Sequence, residues 1–180
     1  MLSQGDAVEW YMMRSNVDEQ RKWFNSQPRK PVSAAIVLTD DHGKILLLEV
    51  NYRKNWNLPG GVLEEHESPL DGVVRETQEE LGIVVDRHSL SLCAVDYRPA
   101  KNGFIDKLYF YFYGGALTQQ QIDAIKLQDE EIEQMRFVDL DEAKQLLSRW
   151  TYRQVVASLR GQGDKGLYLE NGAVPGERVT

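Results

Sequence analysis

The sequence predicts a single α+β domain in which a β-sheet is sandwiched by helices. Three observations carry this. Apolar runs at residues 34–38 and 45–50 flank the turn Asp40-Asp41-His42-Gly43, which makes a hairpin. A capped, stripe-bearing helix follows, and residues 107–113 (Lys-Leu-Tyr-Phe-Tyr-Phe-Tyr) alternate as a strand does. Strands and helices are mixed without the regular alternation of a doubly wound sheet, so the class is α+β.

Taken in order, residues 1–31 read as an N-terminal helical extension, with Trp10, Tyr11, Val17, Trp23 and Phe24 in a polar background. The hairpin follows. Pro59-Gly60-Gly61 then interrupts the chain, and Ser68-Pro69 starts a helix, with Ser68 as N-cap, Pro69 in the first turn and Asp71 at the capping-box position. Gly82 supplies its left-handed stop. Within it Leu70, Val73, Val74, Thr77 and Leu81 recur at the helical period and form one stripe facing the core. Strands are expected at 90–97 and 107–113, the second with Leu108, Phe110 and Phe112 on one face and tyrosines on the other. Beyond Gly114-Gly115 the pattern predicts a helix over 118–126, a short strand over 135–138, and helices over 140–147 and 150–159. The tail from Gly161 to the end, residues 161–180, is Gly-rich and reads as irregular.

A chain of 180 residues with 42% hydrophobic and 27% charged residues is long enough for one domain with a sizeable core. No segment reaches the roughly 20 apolar residues that span a bilayer, and the start lacks a leader pattern, so a cytoplasmic location is expected. The lone Cys93 cannot form an internal disulfide and sits at a strand position, as a core thiol. The formal charge of -7 argues against general nucleic-acid binding. Its distribution is more telling: residues 64–80 hold seven acids and one Arg75, a local -6, so the rest of the chain is nearly neutral.

Glu76, Glu79 and Glu80 stand at i, i+3 and i+4, which puts three carboxylates on one arc of the helix away from its apolar stripe. A solvated polar face would look the same. Yet like charges at these spacings repel by a few tenths of a kcal/mol per pair, roughly, and only Arg75 is near to offset them. Clustered carboxylates beside a glycine turn suit a hard cation such as magnesium, which takes oxygen ligands and bridges to substrate phosphates.

Gly61, five residues, Glu67, seven residues, then Arg75-Glu76-Thr77-Gln78-Glu79-Glu80-Leu81-Gly82-Ile83 resembles the Nudix box. The departure is Thr77, where the family prefers an aliphatic residue. Trp56-Asn57-Leu58-Pro59-Gly60 is also similar, and the likeness extends loosely over residues 32–159. The resemblance implies an α/β/α sandwich with a mixed central sheet. It also implies a hydrolase that cleaves a nucleoside diphosphate linked to another group, by attack of water at phosphorus. Mg2+ or Mn2+ would be held by Glu76, Glu79 and Glu80 with the carbonyl of Gly60, and by a further acid from outside the box, Glu131 or Glu130 of Asp129-Glu130-Glu131. Glu67 and Arg75 would pair to hold the loop, and Glu76 or Glu79 would be the base.

For the substrate, Tyr52, Trp56, Tyr97 and Tyr111 are candidates to stack a base, and Arg53, Arg98 or Lys107 to hold a diphosphate. Pro99, sixteen residues beyond Ile83, resembles the ADP-ribose subgroup, so ADP-ribose or a sugar nucleotide is expected. The partner is thus a nucleotide-type small molecule, and a homodimer stays open. The alternative, a nucleotide-sensing module without catalysis, usually has an eroded box. An allylic diphosphate isomerase would need a catalytic cysteine.

Overall fold

The computed structural model describes residues 16–51, 54–128, 130–162 and 166–176. Tyr52, Arg53, Asp129 and the start of the expected N-terminal extension lie outside them.

The elements run α1 (Val17–Ser26), β1 (Val32–Thr39), β2 (Ile45–Val50), β3 (Gly60–Val62), α2 (Pro69–Leu81), β4 (Ser91–Arg98), β5 (Lys107–Ala116), α3 (Gln119–Asp123), β6 (Ile132–Val138), α4 (Leu140–Leu146), α5 (Arg149–Arg160) and β7 (Leu167–Glu170). The sheet order is β6-β2-β1-β5-β4-β7, with β3 joined to β1. β1 with β5 and β4 with β7 are parallel, while the other pairings are antiparallel, so the sheet is mixed as expected.

Both faces of this sheet are covered. One carries Ile36, Leu38, Leu46, Leu48 and Phe112 against Val73 and Leu81 of α2. The other carries Val37, Leu47, Ala94 and Tyr111 against Ala143, Val155 and Ala157 of α4 and α5. The fully buried leucines and isoleucines of β1 and β2 supply most of the driving force, at about 1.5–3 kcal/mol per buried side chain. Phe110 packs toward the first cluster, while Tyr109, Tyr111 and Tyr113 turn to the second, so the alternation read from the sequence separates two cores. Cys93 is a fully buried thiol. Among the described residues no helix is long and apolar enough to cross a membrane.

β5 runs on through Gly114-Gly115 to Ala116, and three further differences from expectation have physical reasons. α3 ends at Asp123, because the next residues leave to satisfy the end of α2: Lys126 N–H donates to Leu81 O at 2.9 Å and Gln128 N–H to Glu80 O at 3.2 Å. β6 begins at Ile132, three residues before the expected start, and its exposed Glu133 and Gln134 read as loop because β6 is an edge strand. The tail is not irregular throughout: Leu167–Glu170 forms β7, paired in parallel with residues 94–97 of β4 and anchored by fully buried Leu169. A four-residue strand between Gly166 and Asn171-Gly172 is too short a run for the sequence pattern to mark.

β1 shares one edge between two partners. Its end at Thr39 pairs with Ile45 of β2, and residues 33–35 pair with β3. The divergence of β2 and β3 along that edge opens a cleft.

Candidate active site

The cleft, about 1390 Å3 in volume, runs from the glycine turn of β3 across the sheet to the loop after β4 and the start of α5.

Its acidic end is built by β3, the following loop and α2. The Ser68 hydroxyl caps α2 by accepting from Asp71 N–H, and Gly82 at φ 68° closes it, both as expected. Thr77 is fully buried and donates its hydroxyl to Val73 O at 2.6 Å, so the polar group is satisfied within the helix. Two glycines are required by space. Gly60 has φ 137°, and a Cβ there would lie 2.2 Å from Ala34 O. A Cβ on Gly61 would lie 2.3 Å from Glu76 Oε1, so this glycine makes room for a carboxylate.

Arg75 organises the end. Its Nε and Nη2 hold the two oxygens of Glu67 at 2.8 and 2.9 Å, the bidentate pairing expected, while Nη1 reaches Glu76 Oε1 at 3.0 Å and Glu79 Oε2 at 2.9 Å. The guanidinium, helped by Glu64 N–H, holds Glu67 down to about 2, while Glu67 drives the Arg75 pKa up. Glu80 goes the other way. It is 7% exposed and accepts Gly60 N–H at 2.7 Å, yet burial first, then Glu76, Glu131 and Glu79, push it up to about 8. Burial also raises Glu76 against the pull of Arg75.

The three box carboxylates therefore do not behave alike. Glu76, Glu80 and Glu131 face the cleft, whereas Glu79 is 53% exposed and turned to Arg75 outside it. Among the described residues no three acidic or imidazole side chains converge tightly on one point. The donor chemistry nonetheless fits a hard divalent cation: the carboxylates of Glu76 and Glu131 line the cleft with buried Glu80 beside the Gly60 turn, and both push the Glu80 pKa up after burial.

At the other end the sequence reading is revised. Trp56, expected to stack a base, is 5% exposed, packs in the second core, does not line the cleft and carries the Arg136 guanidinium 5.2 Å from its ring centroid. Its spacing to the glycine turn reflects packing on Leu147, to which its backbone bridges. Tyr97 donates to Asp106 at 3.2 Å and does not line the cleft either. Tyr111 lines it but is 3% exposed, with a pKa raised by burial. Arg98 and Lys107 do line it, and the Arg98 guanidinium sits 4.3 Å over the ring of Trp150. Trp150 and Gln154 escaped the sequence reading: they line the cleft from α5, and Gln154 Nε2 donates at 2.6 Å to Asp96, a fully buried carboxylate that also accepts Gly172 N–H at 3.1 Å. A fully buried Asp–Gln pair has no sequence signature, because the partners stand 58 residues apart.

The family model of the NUDIX domain matches residues 29–159. The chain belongs to the NUDIX domain family. A MutT-like protein of Streptomyces ambofaciens is 42% identical over 66 residues, which are 37% of this chain and 43% of that protein. The CMP-5'-(N-acetyl-N-hydroxy-3-aminopropyl)phosphonate hydrolase of Streptomyces rubellomurinus is 30% identical over 125 residues, 66% of this chain and 56% of that one. The chain thus aligns with about half the length of these relatives. A solved UDP-X diphosphatase shares the fold at a TM-score of 0.60 and 23% identity, covering 90% of this NUDIX chain and 80% of that one.

Proposed function

We propose that this NUDIX protein is a metal-dependent pyrophosphohydrolase that cleaves a nucleoside diphosphate linked to another moiety, with cytoplasm as its compartment. The observation that carries the reading is the environment of Glu80, a buried carboxyl raised to about 8 by burial and by Glu76, Glu131 and Glu79 beside the Gly60 turn. A dication shared among these oxygens reverses that penalty, and a polyphosphate cannot approach such a cluster without one.

Glu76, Glu80, Glu131 and the Gly60 carbonyl are the groups that would hold Mg2+ or Mn2+, and Glu79, the remaining expected ligand, would have to leave Arg75 to join them. When bound, the ion supplies charge neutralisation on phosphoryl oxygens and a lower pKa for an attacking water. The residues supply the rest. Glu67 and Arg75 clamp the loop to α2. Gly60 N–H orients the Glu80 carboxyl. Of the two base candidates Glu76 lines the cleft, which favours it as acceptor of the proton from water. The water oxygen bonds to phosphorus, the anhydride P–O bond breaks, and two phosphorylated products leave.

ADP-ribose or a sugar nucleotide is the favoured substrate, supported by the position of Pro99 at the cleft and by relatives named for nucleotide-linked substrates. The test is hydrolysis of ADP-ribose, sugar nucleotides, dinucleoside polyphosphates and nucleoside triphosphates in Mg2+ and in Mn2+. Metal-dependent release of a nucleoside phosphate is expected. No turnover on the whole panel would make the chain a nucleotide-sensing module instead.

A further inference from the structure

The cleft has opposite charge at its two ends. Glu64, Glu76, Glu80 and Glu131 line one; Arg98, Lys101 and Lys107 line the other. In a chain of formal charge -7, a gathering of cations calls for an explanation.

The register makes the basic end unusual. Arg98 and Lys107 are direct cross-strand partners on β4 and β5. Like charges placed directly opposite are destabilising unless something anionic lies between them. The nearby carboxylates are already engaged. Asp106, next in sequence to Lys107, is held by Lys30 and Tyr97. Asp96, on the face shared by Arg98 and Lys107, is pushed up by burial, with Arg98 offsetting this only in part, and it spends its oxygens on Gly172 N–H and Gln154 Nε2. Among the described residues no ion pair within 4.0 Å is made by Arg98, Lys101 or Lys107.

A second observation comes from α5. The ring of Trp150 lies 4.3 Å from the Arg98 guanidinium, and its indole Nε1 is a buried donor with no hydrogen-bond partner among the described residues. Its neighbour one turn on, Gln154, is fully buried with its Oε1 also unpartnered. A buried donor left unmade is destabilising, because it has lost its water and gained no partner. An incoming acceptor between Arg98, Lys107 and Trp150 would satisfy it.

The two ends are too far apart to serve one diphosphate. β3, which carries Gly60, is three strands from β4 through β1 and β5. At 4.7–4.9 Å per strand the two backbones lie about 14 Å apart laterally, with a further shift along the strands from the Ala35 level to that of Lys107, and the Arg98 and Lys107 side chains, which reach into the same cleft, shorten that gap to the scale of a nucleoside.

We infer that the basic end of the cleft binds a second anionic group, a phosphate carried by the substrate away from the diphosphate that is cleaved. This rests on the pyrophosphohydrolase reading and refines its substrate class: nucleoside diphosphate derivatives, nucleotide sugars included, that bear an additional phosphate would be preferred over unsubstituted ADP-ribose. Arg98 and Lys107 supply the charge, Trp150 Nε1 an N–H, and exposed Lys101 a further positive charge at the rim.

The experiment measures binding by calorimetry to the full chain in MgCl2, comparing the adenosine, guanosine, cytidine and uridine 5'-monophosphates with their 2',5'- and 3',5'-bisphosphates. None of these ligands contains an anhydride, so the readout does not depend on hydrolysis. At least one bisphosphate should bind tenfold or more tighter than its monophosphate, and Lys107→Gln should reduce bisphosphate affinity several-fold more than monophosphate affinity. Trp150→Phe, which keeps an aromatic ring and removes the N–H, should narrow the preference with a melting temperature no lower than that of the wild type. Equal affinity of every pair in the wild type, or an equal loss for both ligands in Lys107→Gln, overturns the inference. Bisphosphate preference in a chain that hydrolyses nothing would sink the hydrolase reading and leave this one standing; hydrolysis without preference would do the reverse.

Discussion

The acidic and basic ends of the cleft are built in opposite ways. Residues 60–83 form the acidic end as one strand, one loop and one helix, and nearly all its contacts join residues within about 20 positions: Gly60 to Glu80, Glu67 to Arg75, Arg75 to Glu79. At the basic end, Arg98 on β4, Lys107 on β5 and Trp150 and Gln154 on α5 meet only because the sheet and helix pack. The first region stores unfavourable electrostatics in local geometry. The second stores unpartnered polar groups in tertiary geometry. Ligand-binding energy can be drawn from both, and they should fail differently when altered.

The largest expected effect is at the acidic end. Glu80→Gln should lower kcat by about 10²–10⁴-fold, the range for removing a directly acting charged group, with the fold intact by circular dichroism. The same substitution should stabilise the chelated protein at high pH. Glu80 is raised from 4.5 to about 8, so the wild type keeps its full relative stability below 4.5 and loses it as pH rises through about 8. The gap between variant and wild type should therefore open from pH 5 to pH 9, on the order of a few kcal/mol, and saturating Mg2+ should close it. Thermal melts in chelator that run parallel across that range would show that Glu80 titrates normally.

Next is Gly61→Ala, whose Cβ would meet Glu76 Oε1 at 2.3 Å. Moving one carboxylate by this much should cost about 10²-fold in kcat. The melting temperature should barely move, because the clash is with the far end of a flexible side chain. A variant of wild-type activity would remove Glu76 from the chemistry.

At the basic end stability should respond more than chemistry. Gln154→Leu deprives Asp96 of its 2.6 Å donor in a fully buried setting, which should cost about 1–3 kcal/mol. A melting temperature lower by several degrees follows for a domain of this size, with kcat per folded molecule little changed. If kcat instead fell as far as in Glu80→Gln, the division between the two ends would be wrong.

The smallest effect belongs to Arg98→Gln. Its cation–π contact with Trp150 is worth about 0.5–1 kcal/mol at an exposed site. Steady-state kinetics should show KM raised and kcat constant.

Legibility followed the same division. Ser68, Pro69 and Gly82 mark the ends of α2 because caps are local chemistry, and the stripe Val73, Thr77, Leu81 marks its buried side because the helical period is local too. The Glu67–Arg75 pair was also legible, since loop and helix are contiguous. Glu80 was legible as an acid on the arc but not as a buried one: its burial comes from the turn of Gly60 folding over it. Trp56 misled, since an aromatic beside a glycine turn looks the same whether it faces substrate or core. β7 was hidden because its partner β4 precedes it by more than 60 residues.

The sequence by itself determined the class of fold, the limits of α2 and the concentration of negative charge between Glu64 and Glu80, all of which depend on neighbours within a few turns of chain. Only the tertiary structure decided which of those carboxylates loses its water, that Glu79 stands apart with Arg75, and that Arg98, Lys107 and Trp150 share one end of a cleft. Those outcomes depend on desolvation and on strand register, and both exist only once distant segments pack.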